Sequence, residues 1–509
     1  MTGRQKIQMS SLDWVLAVRE QITPRGNQYV QLAPIAQLPN EILLNIFRQG
    51  TGEAPSTSNS LPFELAVSGV CRAWRHLALL PEFWTNVFIT SKTLPAHLLL
   101  YLRRSSRHLI TATFCHWPFI KRRRIHLSSE AFLPDILNIL CSKAWRLRSL
   151  RVWNISDSDL LTISSRLADA FAPALTEVSI QANPTLSQVY HRIYSKLQVP
   201  FLHNNCAPSL SSLEIDHFNM QTYAVPSGWF FSLRSLRSLT VRTDDFFSRP
   251  LTGEDLRLLL LSANALEHLA FYGPVVDWDD DDEEGDSISA LCLRTLIIHC
   301  EPSCYRYHFT LLSALHAPLL EHLEIPWQDD VGVEDRPEEL TECFFRSQGE
   351  PKFPRVKRLR LHDSTAEGWL PAAPFIRAFP NVEELVLGAA DVMYISSALL
   401  NLVIPNTDTK RGTLAPGAWP RVKTILLDGL TVKSWKRCAG PLRRWMRAGG
   451  HEGPLVTILN FCPGEIVDRA PRGCKTAHIN AHVLKILQMG SRVGSAYKLA
   501  AEKGIWYFC

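Results

Sequence analysis

The sequence predicts an α/β protein: a small all-α module near the N-terminus, then a long α/β solenoid in the form of a horseshoe. Three observations predict it. Two apolar segments with helical spacing lie between Ile35 and Ile89. From Leu147 onward a single short apolar pattern recurs almost to the end of the chain. The chain has 509 residues, 46% of them hydrophobic, which is enough to bury more than one compact domain.

Composition also excludes several classes. A net charge of +5 is small for this length and gives no whole-chain argument for nucleic acid or an anionic membrane. The twelve cysteines show no paired spacing, so they are expected to be reduced thiols of an intracellular protein. The first 27 residues carry charges throughout and lack a continuous apolar core, unlike a signal peptide. The longest aliphatic runs, such as Leu256 to Leu261, fall far short of the ~20 residues a membrane helix needs. The expectation is a soluble protein of the cytosol or nucleus.

An N-terminal extension, residues 1–34, reads as a short amphipathic helix and a loop. Ser11 can cap that helix, with Leu12, Val15, Leu16 and Val18 on its apolar side. The informative text begins at Ile35 with IAQLPNEILLNIF. Pro39 suits a first helical turn, where its missing N–H is not needed. Glu41 follows where the helix dipole favours a carboxylate. Leu38, Ile42, Leu43, Ile46 and Phe47 then share one broad face. A second helical segment spans Phe63 to Leu80, with Leu65, Val70, Cys71, Trp74, Leu77 and Ala78 as its expected buried side; Pro81, Phe83 and Trp84 close it.

The two halves resemble the opening and the end of an F-box: Leu-Pro-x-Glu-Ile-Leu-x-x-Ile-Phe, then Val-Cys-Arg-x-Trp-Arg-x-Leu-Ala with a second Trp ten residues after the first. The form is most similar to F-box proteins of mushroom-forming fungi. Together the halves cover residues 35–89. One departure is the joint between them, Gln49 to Glu64, whose core GTGEAPSTSNS is too polar and too rich in Gly and Pro to pack. The resemblance implies a three-helix unit that binds the Skp linker, and through it cullin and a RING subunit. The residues it marks are Leu38, Pro39, Ile42, Leu43, Ile46, Phe47, Val70, Cys71, Trp74 and Trp84. Physics agrees with an interface here: about 50 residues cannot cover so many apolar side chains alone.

The recurring pattern is apolar-x-x-apolar-x-apolar. It runs from Leu147/Leu150/Val152 through Leu175/Val178/Ile180, Leu210/Leu213/Ile215, Leu236/Leu239/Val241, Leu266/Leu269/Phe271, Leu293/Leu296/Ile298, Leu320/Leu323/Ile325, Val356/Leu359/Leu361, Val382/Leu385/Leu387 and Val422/Ile425/Leu427 to Val456/Leu459/Phe461. Steps of 26 to 40 residues separate the units. That period is the signature of leucine-rich repeats. Ala-Pro, Phe-Pro or Trp-Pro precedes six of the units, and helical pieces such as Asp255–Leu261 and Thr310–His316 lie between strands. The solenoid is assigned to residues 90–480 and a helical end cap to 481–509.

A solenoid offers its outward strand residues to protein partners. Candidates for a target-binding concave face are Arg148, Arg151, Arg237, His268, Arg294, His322, Lys357, Arg358, Arg360 and Lys423. The basic run Lys121–Arg124 reads as a solvated face, and the acidic run Asp277–Asp286 as an inter-repeat insertion. His299, Cys300, Cys304 and His308 lack the spacing of a zinc finger, so no metal is expected. Phosphate-loop, dinucleotide-binding, zincin and hydrolase-elbow motifs are absent. The expected function is non-catalytic and needs no cofactor: a substrate-recognition adaptor of an SCF-type E3 ubiquitin ligase. The alternative is a leucine-rich scaffold with a vestigial F-box.

Overall fold

A computed structural model of the chain describes residues 35, 38–51, 61–115, 132–155, 157–182, 206–216, 233–243, 251–277, 288–299, 305–326, 343–346, 349–362, 376–388, 421–428, 455–459 and 506–508. The N-terminal extension, the centre of the 49–64 joint, Lys121–Arg124, Cys300, Cys304 and the first helix expected in the end cap lie outside the described residues, as does the acidic run beyond Asp277. The chain divides into two units, Met1–Arg166 with Ala170–Leu175, and Leu167–Asp169 with Thr176–Cys509.

The described part of the first unit includes α1 (Asn40–Gly50), α2 (Phe63–Val70) and α3 (Arg72–Ala78), followed by a 3-10 turn at Pro81–Trp84. Two details differ from the sequence reading. Pro39 is the N-cap of α1 rather than part of its first turn, at φ −55° and ψ 149°, and its carbonyl accepts from the N–H groups of Ile42 and Leu43. The single helix expected from Phe63 to Leu80 is two. Cys71 is extended between them, and its sulfur accepts from the Trp74 N–H at 3.5 Å, capping α3. Gly69 and β-branched Val70, both weak helix formers, lead into the break. The break also turns Val70 and Cys71 outward instead of into the core.

Three parallel strands follow: β1 (Asn86–Ile89), β2 (Ile110–Phe114) and β3 (Leu147–Ile155). The helices α4 (Pro95–Arg104), α5 (Phe132–Cys141) and α6 (Asp157–Leu167) alternate with them. Thus the strands begin 61 residues before the first apolar unit read from sequence, at Asn86 rather than Leu147. Between β2 and β3 the pairing slips: Leu147 faces Ile110, but Ser149 faces Thr111.

Buried Arg146 ties this unit together. Its guanidinium donates to the Leu102 and His108 carbonyls, at 3.0 Å and at 3.0 and 2.8 Å, and to Ser105 Oγ at 2.6 Å, so it closes the C-terminal end of α4. Burial lowers its pKa from the usual arginine value. Arg146→Ala removes every one of these donors. Urea denaturation is expected to show a loss of about 2–3 kcal/mol, set by the acceptors left buried.

The second unit is a ladder of short strands. β4 (Glu177–Ala182), β5 (Ser212–Asp216), β6 (Ser238–Arg242), β8 (His268–Tyr272), β11 (Thr295–His299), β13 (His322–Pro326), β14 (Arg358–His362), β15 (Glu384–Gly388), β16 (Thr424–Asp428) and β17 (Leu455–Leu459) pair in that order, all parallel. The two-residue strands β7 (Leu251–Thr252) and β9 (Val276–Asp277) pair with each other, as do β10 (Ile288–Ser289) and β12 (Leu315–His316). Among the described residues the helices α7 (Gly253–Ser262) and α8 (Tyr305–Ala314), and a helical turn at 376–378, lie between strands. Thr252 and Asp255 form a reciprocal capping box that starts α7. The helix expected at Thr310–His316 begins earlier, and its last two residues are β12.

From β4 to β16 each expected apolar unit carries its strand in the frame read from sequence. Leu213, Leu239, Leu269, Leu296, Leu323, Leu359 and Leu385 stack through neighbouring strands, and all are buried. The residues between them form the other face of the sheet and are mostly half-exposed. The last unit departs from the expected frame. Val456 pairs with Ile425 and Ile458 with Leu427, so Val456 takes the second apolar place, not the first. The end of the chain also differs: β18 (Trp506–Phe508) runs antiparallel to β17 where a short helix was expected. β18 satisfies the backbone of β17 and becomes the sheet's edge itself, and its length of three residues keeps that edge short. Among the described residues no helix is long and apolar enough to cross a membrane.

Candidate functional site

The helical module has an aromatic centre. The Phe47 ring lies edge-on to Phe63 at 6.0 Å, Trp74 at 5.2 Å and Phe83 at 6.0 Å. Gly50 lets this packing close, because a Cβ there would stand 2.5 Å from the Phe63 ring. Trp84 is completely buried; its indole N–H donates to the Ala78 carbonyl at 2.7 Å. Tyr101 of α4 meets Trp84 edge-on at 5.0 Å, and the Arg104 guanidinium sits 4.2 Å above the same ring. Arg48 and Glu82 pair at 3.0 Å.

These contacts sort the sequence-predicted residues. Leu43, Phe47 and Trp84 are buried in the module's own core, at 3%, 1% and 0% exposure. Leu38 and Trp74 are half-buried. Pro39, Ile42, Ile46, Val70 and Cys71 face solvent, with Ile42 at 45%, Ile46 at 41% and Val70 at 60%. Helix α1 therefore has two apolar stripes. Leu43 and Phe47, four residues apart, point inward; Ile42 and Ile46, also four apart, point outward. Leu61, Leu79 and Leu80 are exposed too. The sequence reading missed them because they flank the helices and break the periodic frame.

The module is bolted to the first strand–helix pair behind it. Glu64 on α2 is buried and accepts a short hydrogen bond from the Tyr101 hydroxyl. Burial raises the pKa of its carboxyl, more than the tyrosine lowers it. A carboxyl raised in the folded state adds stability below its unfolded pKa and loses it as pH rises through the folded value. Glu64→Gln keeps the acceptor and removes the charge. Its melting temperature is expected to exceed the wild type's by more at pH 7 than at pH 4. Tyr101→Phe leaves the carboxylate unpaired and is expected to lose about 1–3 kcal/mol in the same melts.

In the second unit the predicted face residues fall into two groups. Arg237, Arg294, Lys357 and Lys423 sit just before their strands, in a row with Glu267, Glu321 and Glu383. Backbone hydrogen bonds link Arg237, Glu267, Arg294, Glu321, Lys357, Glu383 and Lys423 in strict alternation of charge. Side chains pair across it: Arg237–Glu267 at 3.3 Å, Arg294–Glu321 at 2.9 Å and Lys423–Glu383 at 2.7 Å. Such exposed pairs contribute little to stability. The row matters more for what it cancels: four cations interleaved with three carboxylates make no phosphate-tracking stripe.

The second group lies on the strands. Arg358 donates to Glu384 at 3.0 Å. His268, His322 and Arg360 gather around Glu324, whose side chain is only 7% exposed. The sequence reading of the face omitted His299, which approaches Glu324 at 2.6 Å, and Tyr272, stacked on His299 at 5.0 Å. Both sit just past the third apolar residue of their units, beyond the six-residue frame. In the first unit Arg148 is exposed and Arg151 half-buried.

The geometry is that of a small helical module and a parallel-stranded α/β region. Residues 35–90 match the F-box-like family, and this F-box-like domain supports an F-box protein. No curated protein matches the chain.

Proposed function

We propose that this protein is the substrate-recognition adaptor of an SCF-type E3 ubiquitin ligase, acting in the cytosol or nucleus. The observation that carries the reading is the second apolar stripe of α1. A helix that only closed its own module would need one stripe, and Ile42 and Ile46 make another that has nothing of the module to cover. In this reading the stripe, with Pro39, Val70 and Cys71, meets the Skp-family linker, which joins cullin and RING subunits. The parallel-stranded region is read as degenerate leucine-rich repeats whose open sheet face holds the target. No bond chemistry falls to this chain. It raises the local concentration of target lysines near a charged conjugating enzyme.

Glu64, Tyr101, Trp84 and Arg104 support the mechanical side of this role. They fix the module to α4, and a stiff joint keeps the effective concentration high where a flexible one would dilute it. Size-exclusion chromatography of the full chain expressed with a Skp-family linker tests the proposal. A one-to-one complex is expected. A folded chain that elutes without the linker would sink the adaptor reading; a linker complex that recruits no cullin would make the protein a scaffold.

A further inference from the structure

We infer that the sheet face across β8 to β14 takes a carboxylate-rich peptide segment of the target, and takes up protons as it does so. The inference deepens the adaptor reading and rests on it for calling the occupant a target.

The site is a ring of imidazoles over a shallow apolar floor. Ala270 and Ile297 form the floor; His268, His299 and His322 stand around it. Glu324 lies among them, its Oε1 2.6 Å from His299 Nε2 and its Oε2 3.8 Å from both His322 Nε2 and Arg360 Nη1. Every arginine of the face has an acidic neighbour. Arg358 pairs with Glu384 and Arg360 faces Glu324, while Arg242, on β6 beside the face, lies 3.6 Å from Glu214 and stands opposite Asp216. Across β8 to β14, with neutral imidazoles, the Arg358 and Arg360 cations are matched by Glu384 and Glu324. A proton gained by His268 or His322 then adds charge beyond those matched pairs. The face has no net charge to attract a cation, since Glu324 is enclosed, and it becomes an anion acceptor when it is protonated.

The neighbours of each ring set the coupling. His268 sits between Ser238 and Thr295 and feels Glu324. His322 sits between Thr295 and Arg358, and also feels Glu324, Glu384 and His268. His299 has Tyr272 stacked on one side, under the Arg242 guanidinium, and Glu324 on the other. His322 Nε2 is buried without a hydrogen-bond partner. Burial lowers the pKa of both His268 and His322, and Arg358 lowers His322 further. The free face therefore resists charging. An incoming carboxylate supplies the countercharge that protonation lacks, so by linkage each event favours the other. A phosphate is a poorer fit, because it is gripped by arginine forks, and the forks here already hold carboxylates.

The test uses the full chain purified with its linker and a short fluorescein-labelled Glu-rich peptide, read by anisotropy at constant ionic strength. Affinity is expected to be roughly tenfold higher at pH 5.5 than at pH 7.5, the size of a typical coupling. His268→Gln with His322→Gln should flatten that profile, while His97→Gln in the first unit should not. Glu324→Gln should tighten binding at pH 7.5, a gain that misfolding cannot produce. Binding that ignores pH, a profile unchanged in the double variant, or no binding at pH 5.5 overturns the inference. Linker co-elution in the same preparation separates the two readings: a linker complex without peptide binding defeats only this one, and peptide binding without the linker defeats only the adaptor.

Discussion

Replacing Ile42 and Ile46 together by aspartate is expected to abolish co-elution with the Skp-family linker while the chain stays folded. Both side chains are already nearly half in water, so the substitutions remove little of the module's own core. Their cost falls on the complex. Completing the burial of two isoleucines contributes roughly 1 kcal/mol each, and a desolvated carboxylate at either position subtracts several more. The sum weakens binding by far more than 100-fold, about 2.7 kcal/mol. Circular dichroism melts are the control, and they should stay within about 0.5 kcal/mol of wild type, as for surface changes. Phe47→Ala is the contrast. It empties the centre of three aromatic contacts, so about 3–5 kcal/mol of stability should go, and binding only as a consequence. A double aspartate variant that still elutes with the linker would show that the outer stripe of α1 is not the docking surface.

That contrast also shows what the sequence could resolve. The spacing of Leu38 to Phe47 located α1 and its apolar character, but not which apolar residues turn inward. On a helix, neighbours such as Ile42 and Leu43 lie on opposite sides of a wide stripe, and only packing partners divide it. The partners here are Phe63, Trp74 and Phe83, all distant in sequence from Phe47. The break at Cys71 was equally hidden. No proline or glycine stands at the position, and the cap that rescues it is a sulfur, an uncommon acceptor.

In the strand region legibility follows the strength of the inward rows. Leu, Ile and Val fill both buried places of each strand from β4 to β15 almost without exception, Phe271 being the departure, and the frame follows from them. β2 escaped because Ala112 stands where those strands carry leucine, so the apolar pattern fades although every residue of Ile110–Phe114 is buried. At β17 the apolar residues run continuously from Leu455 to Leu459 apart from Thr457, so periodicity alone allows two frames and pairing with β16 selects one. The alternating charge row was legible in principle. Arg237, Glu267, Arg294, Glu321, Lys357, Glu383 and Lys423 each follow the first apolar residue of their unit. Read one unit at a time they are scattered surface charges; only the stacking of repeats makes them neighbours.

Gly273→Ala should be the most damaging single change in the second unit. Gly273 follows β8 with φ +85°, a left-handed conformation that costs an L-residue about 1–2 kcal/mol. A Cβ there would stand 1.6 Å from the Thr243 carbonyl oxygen, which is backbone and has no rotamer to yield. Either Gly273 or the end of β6 must move. Both are pinned: the Thr243 N–H donates to the Tyr272 carbonyl at 2.7 Å, and the Gly273 N–H donates to the His299 carbonyl at 2.6 Å. Losing the two hydrogen bonds adds about 1 kcal/mol each, for a total of roughly 3–4 kcal/mol. The damage falls beside Tyr272 and His299, where Arg242, Tyr272, His299 and Glu324 touch in sequence across four strands. The expected result is a variant whose second unit melts early in urea, with exchange of the β6, β8 and β11 amides accelerated, and whose linker complex still forms. Simultaneous loss of linker binding in a chain that keeps its helical module folded would show that the two units do not act independently, and that the strand ladder contributes to docking as well as to the target.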